Sequence, residues 1–286
     1  MTQVLVSAIA LAFTIAVPLG AVGFFHRYRL TRPAVGVMNG RDVAVMLGFV
    51  VALPFAYVAL PPWVLPAVLG LVYAGALSIG YEPAVPRRWL RRALILGLLA
   101  ADAVTAAAAA PFWFWAVNSL LVALVAGVVA NLNVQAGLRL RHAAWFAAAL
   151  AGYDLVFATV IPLTQRLAEA VDGYPFAPAA GLRIGAAGAL VGLGDLLAYA
   201  MYAVAATKAY GRTGLRVALG AIAVFGALTP ALAPLAIEAV TGHTPALIPA
   251  QVFFGPAAYA GYRMLRRRHG REHKMREAVP AQAAPA

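Results

Sequence analysis

Two aspartates, Asp154 and Asp195, lie in stretches apolar enough to cross a bilayer, "AALAGYDLVFATVIPL" and "GALVGLGDLLAYAMY". A carboxyl in hydrocarbon is costly and is kept there for a partner or a task. Two aspartates sharing a dry site cannot both ionise cheaply, so one holds a proton while the other acts as base. Such a pair can activate water against a peptide carbonyl. The ionised carboxylate takes a proton from the water, and the protonated one donates to the carbonyl oxygen. The titration belongs to the pair, so neither residue has a fixed role.

The elements that must position this pair follow from hydropathy. The 286 residues are 63% hydrophobic and 11% charged, far below the quarter expected of a soluble domain. The chain is therefore expected to be an all-α polytopic membrane protein. Apolar stretches of spanning length fall at 3–25, 43–60, 63–80, 92–109, 112–133, 143–163, 184–207, 217–238 and 245–263, which makes nine transmembrane helices. Alternate connections carry 20 of the 22 Lys and Arg, leaving Arg166 and Arg183 on the other side. Basic loops face the cytoplasm, which predicts the amino end outside and the carboxyl end cytoplasmic. The first helix has no basic residue before its apolar run and is read as retained rather than cleaved.

In this frame the sixth and seventh spans are antiparallel. Asp154 and Asp195 each lie about 12 residues, roughly 18 Å, from the basic ends of their spans. Equal depth on consecutive helices permits a carboxyl pair. Gly192 and Gly194 bracket the position before Asp195 and remove bulk where another backbone must approach. Gly188 and Gly192 are expected to form a small-residue helix face. Tyr153, beside Asp154, is a candidate for hydrogen bonding or for packing. Pro245 and Pro249 are expected to loosen the start of the ninth span, with Leu247 only slightly above the level of the aspartates. Free backbone at that depth lines a cavity or is buried in protein, and could pair with an extended substrate.

"YD" (Tyr153, Asp154) in the sixth span, "GLGD" (Gly192, Leu193, Gly194, Asp195) in the seventh and "PAL" (Pro245, Ala246, Leu247) opening the ninth together resemble the three motifs of the GxGD intramembrane aspartyl proteases. These are the presenilins and signal peptide peptidases, with their prokaryotic homologues. The resemblance covers residues 143–263; helices one to five agree in number and hydrophobicity. It implies Asp154 and Asp195 as the catalytic pair, with Pro245, Ala246 and Leu247 shaping the site and contacting substrate. The residues after Asp195 look closer to presenilin, whereas the charge distribution resembles signal peptide peptidase. The implied activity is an aspartic endopeptidase, a hydrolase of transmembrane helices such as signal-peptide remnants or membrane anchors.

The chain is organised as helices one to five (1–141, scaffold), helices six to nine (142–265, catalytic) and a basic tail (266–286), partly disordered. Its expected partners are transmembrane-helix substrates and the lipid bilayer; accessory subunits are not implied. The net charge of +12 reflects topology rather than nucleic-acid binding. With no cysteine and no histidine pair at ligand spacing, no metal and no cofactor are expected. A prepilin-type peptidase fits less well, because Leu196 and not a basic residue follows Asp195. The non-enzymatic alternative is a proton-coupled transporter, with Asp102 joining the pair as a relay. Asp102 is otherwise a structural contact to Thr105 or a neighbouring helix. Glu238 is expected in solvent. Asn131, Asn133 and Gln135 either pack helices or line a water path.

Overall fold

The computed structural model describes residues 2–30, 38–61, 63–159, 166, 173–184, 187–242 and 249–272. The chain is mostly helical: α1 Thr2–Arg27, α2 Gly40–Ala59, α3 Val64–Gly80, α4 Arg88–Ala107, α5 Pro111–Gln135 and α6 Leu140–Thr159 come first. Two strands follow, β1 Ala179–Ile184 and β2 Ala187–Gly192. Then come α7 Leu193–Ala221, a π-helical segment Ile222–Leu228, α8 Thr229–Thr241 and α9 Gln251–His269. Among the described residues, three helical stretches are long and apolar enough to cross a membrane, Leu5–Arg27, Pro111–Gln135 and Leu193–Val240.

The first arm of α7 is the centre of the molecule. Every residue from Ala198 to Ala209 is buried, as suits a helix apolar on all sides. It is surrounded by α1, α5, α6 and α9. The long stretch from Leu193 to Val240 is not one rod. It reverses at Tyr210 (φ −138°, ψ 17°) and Gly211 (φ 59°, ψ −140°), the latter in the left-handed region that glycine tolerates. The two arms then run side by side. The Tyr199 hydroxyl donates to the Gly226 carbonyl (3.1 Å), and a Cβ on Gly214 would lie 2.1 Å from the Ala206 oxygen.

The arginine-rich end of the bundle is tied together by polar contacts that satisfy helix termini. Lys208 is buried and donates to the Val134 (3.0 Å) and Leu138 carbonyls, at the negative end of the α5 dipole. Glu272 accepts from the Leu140 and Arg141 amides, both at 3.1 Å, and so caps the amino end of α6. Asn131 Nδ2 donates to the Ala21 carbonyl at 2.9 Å, and the Leu30 amide donates to Gln135 Oε1 at 2.9 Å. Asn131 and Gln135 thus join α1 to α5, and Asn133 bonds back to Val129 within α5 (2.7 Å).

One stretch departs from the expected helix. Residues 187–192 form β2, antiparallel to β1 with Ala180 opposite Val191 and Leu182 opposite Ala189. The seventh helix therefore starts at Leu193 rather than 184, and Gly188 and Gly192 do not form a helix-packing face. The physical reason is glycine content. Gly181, Gly185, Gly188 and Gly192 each lower helix propensity by about 1 kcal/mol relative to alanine. Gly181 has φ 145°, where a Cβ would sit 2.1 Å from the Ala189 oxygen, so the hairpin closes there only because no side chain is present.

Candidate functional site

The hairpin delivers the chain straight into the site. Gly192 is the N-cap of α7, with extended backbone (φ −63°, ψ 146°). Asp195 is the third residue of the helix and lies in its first turn, not mid-helix as the apolar run suggested. Its carboxyl accepts a hydrogen bond from the Gly192 amide, the back-bonding half of a capping box. A Cβ at 192 would press on Asp195 Oδ2 at 3.3 Å. The close neighbour of Gly192 is the carboxyl and not another helix. Leu193 packs on the core and Gly194 is exposed.

Asp154 comes from α6 and is half-buried. Its carboxyl faces the backbone amide of Gln251, the first residue of α9, and is near enough to Asp195 for the two charges to interact. Gln251 is 2% exposed, and its Nε2 donates to Asp195 Oδ1 at 2.8 Å. One residue therefore touches both acids. Beneath them, Tyr199 stands one turn beyond Asp195 on the same face, with the Phe254 ring edge-on at 4.6 Å. Tyr202 donates to the Ala258 carbonyl (2.7 Å) and ties α7 to α9. Tyr153 lies against Phe157 of its own helix, with ring centroids 4.6 Å apart and the planes tilted by 47°. Pro245, Ala246 and Leu247 lie outside the described residues.

The two edges of the hairpin differ. On β1, Asn118 Nδ2 donates to the Ala177 (3.0 Å) and Ala179 (2.7 Å) carbonyls. Ser119 Oγ both donates to the Gly181 carbonyl and accepts from its amide, each at 2.8 Å. The outer edge of β1 is thereby covered by α5. Since Gly181 spends its backbone groups outward, its partner Leu190 also turns its N–H and C=O away from β1. The sheet has two strands, so among the described residues no strand pairs with the outer edge of β2. That edge ends three residues before Asp195.

Asp102 is fully buried on α4, and its Oδ2 accepts from the Phe176 amide at 2.7 Å. Phe176 has φ 64°, and Asp102 secures this turn ahead of β1; Thr105 bonds instead to backbone carbonyls at 101 and 102. Among the described residues, no group of three or more His, Cys, Asp or Glu could hold a metal. Gln251, Tyr199, Asn118 and the hairpin are absent from the sequence-derived site. Only Tyr199 carried a clear signal, its helical spacing of four from Asp195.

No protein-family model, no curated protein and no solved structure matches this chain.

Proposed function

We propose that the protein is an intramembrane aspartyl endopeptidase that uses Asp154 and Asp195 to activate water. The observation that carries this is the convergence of two acids from separate helices on one glutamine, with both carboxyls within electrostatic reach of each other. One proton shared between them leaves a base for the water and an acid for the scissile carbonyl. In the relay alternative Asp102 joins the pair as a third acid. Asp102 is instead engaged with the Phe176 amide, which favours hydrolysis. The test is cleavage of a fluorogenic transmembrane peptide by wild type, Asp154→Ala and Asp195→Ala, with an aspartyl-protease transition-state analogue as control. Cutting by wild type alone, blocked by the analogue, supports hydrolysis. Equal cutting by all three assigns the activity to a contaminant, and proton-coupled uptake lost in the variants assigns the acids to transport.

Substrate is presented by strand addition. A helix cannot expose its carbonyl to a carboxyl pair, so the segment to be cut must unwind, and unpaired backbone in a membrane needs partners. The outward groups of Leu190 on β2 supply them, and a strand paired there runs toward Asp195. Leu190→Pro removes an outward amide while leaving the β1–β2 ladder intact. It is expected to raise KM for the transmembrane peptide at least several-fold. Wild-type KM in this variant would remove the edge from the mechanism.

The chain spans the membrane nine times, with its amino end outside and its carboxyl end in the cytoplasm. What supports this is the gathering of 20 of 22 basic residues on alternate connections, together with the antiparallel reversal at Tyr210 and Gly211. An enzyme so oriented takes helices whose amino end is cytoplasmic, such as signal-peptide remnants and type II anchors. In proteoliposomes of uniform orientation these are expected to be cut and type I anchors spared; equal cutting of both would refute the polarity.

A further inference from the structure

We infer that Gln251 is the positioning residue of the aspartate pair, a role that rests on the protease reading above. Its backbone amide belongs to the first turn of α9, where amides have no intrahelical acceptor, and it is turned to Asp154. Its side chain reaches the other acid, Nε2 to Asp195 Oδ1 at 2.8 Å. A primary amide nitrogen donates and cannot accept. It therefore holds Oδ1 of Asp195 as an acceptor and keeps the shared proton off that oxygen. The proton is left to the remaining carboxyl oxygens, where it can pass between the acids and the reacting groups. Spacing is set by the same residue, because backbone and side-chain donors are joined by a short covalent link.

Packing alone does not account for an amide here. Gln251 is 2% exposed, and its Oε1 is buried with no hydrogen-bond partner among the described residues. An unmade buried hydrogen bond is a cost that a methionine or leucine of similar volume would avoid. A buried polar atom left in this state calls for an explanation, and a catalytic role for the other end of the group is one. The end in use is the one on Asp195.

The test compares kcat, KM and their pH profiles for wild type, Gln251→Ala and Gln251→Glu on the transmembrane peptide. Loss of a hydrogen bond to a charged group predicts a fall in kcat of about ten- to a hundredfold for Gln251→Ala, with KM little changed. Gln251→Glu is expected to be nearly inert at neutral pH and to regain activity as the pH falls. Its carboxyl can donate to Asp195 only when protonated. A residue that merely packs gives no such recovery on the acid side. Wild-type kcat in Gln251→Ala, or matching pH profiles in Gln251→Glu and wild type, would overturn the role. If Gln251→Ala does not fold, Gln251→Met keeps the volume and carries the same comparison. A readout independent of cutting separates this from failure of the protease assignment. The carboxyl infrared band that disappears in Asp195→Asn is expected to shift in Gln251→Ala, and an unshifted band refutes the positioning role even where no peptide is cut.

Discussion

Asp154→Asn and Asp195→Asn are each expected to lower kcat by about a thousandfold or more, while the melting temperature in detergent stays level or rises. General acid–base catalysis by one group is worth about 10²–10⁴ in rate. The two carboxyls act as a unit, so losing either leaves one carboxyl, which cannot be base and acid at once. Asparagine keeps the shape of the side chain. At 195 its single carbonyl oxygen keeps one of the two acceptor contacts that hold the aspartate now, from Gln251 Nε2 and from the Gly192 amide. What it deletes is a buried acid facing a second buried acid, an arrangement kept at a cost in stability where catalysis requires it. Opposite signs for activity and stability separate this outcome from misfolding. Cleavage rate and thermal unfolding measured on the same preparation decide it. Activity within tenfold of wild type in either variant would end the assignment of that aspartate.

The second large effect is steric and lies one turn away. Gly255 on α9 meets α6 so closely that a Cβ would stand 2.4 Å from the Ala147 oxygen and 2.8 Å from Ala151 Cβ. Small residues at such a crossing let two backbones approach. Gly255 follows Gln251 by one helical turn, and Ala147 and Ala151 precede Asp154 on the facing face of α6. This crossing therefore sets how far Asp154 stands from the Gln251 amide. A methyl at 255 demands a separation of roughly 1 Å to reach ordinary van der Waals contact, and a misplacement of that size costs about a hundredfold in rate. Gly255→Ala is expected to lose about that much kcat and about 1–3 kcal/mol of stability; Gly255→Val is expected not to assemble. Gly152→Ala, on α6 with no atom within 4 Å of its added methyl, is the matched control and should be near neutral. Equal behaviour of Gly255→Ala and Gly152→Ala would show that the crossing does not govern the site.

Some of this site could be read from residue order alone. Hydropathy locates the helices because an apolar run admits few other fates, and a carboxyl in such a run is conspicuous against it. The positions of Asp154 and Asp195 were legible for that reason, as was the reversal near Lys208, where charge interrupts the apolar pattern. Asp102 was conspicuous too, but its partner was not. The Phe176 amide lies 74 residues away in sequence, and no local pattern ties the two.

The boundary at 184–192 could not be settled by hydropathy, since "IGAAGALVG" is apolar enough for either a helix or a buried strand. What decided it is tertiary. Asn118 and Ser119 on α5 take up the outward backbone groups of β1, so the extended form has its hydrogen bonds where a glycine-rich helix would be weak. Gln251 was hidden for a related reason. A single amide at the head of an apolar helix has no spacing to give it away, and it becomes a site residue only when α9 packs on α6 and α7. By itself, then, the sequence determined which segments are apolar, which acids lie within them and where the charges gather, because these are properties of residue type and order. Only the tertiary structure decided which edge of the hairpin α5 covers and which side chain joins the two acids, because both depend on contacts between segments far apart in the chain.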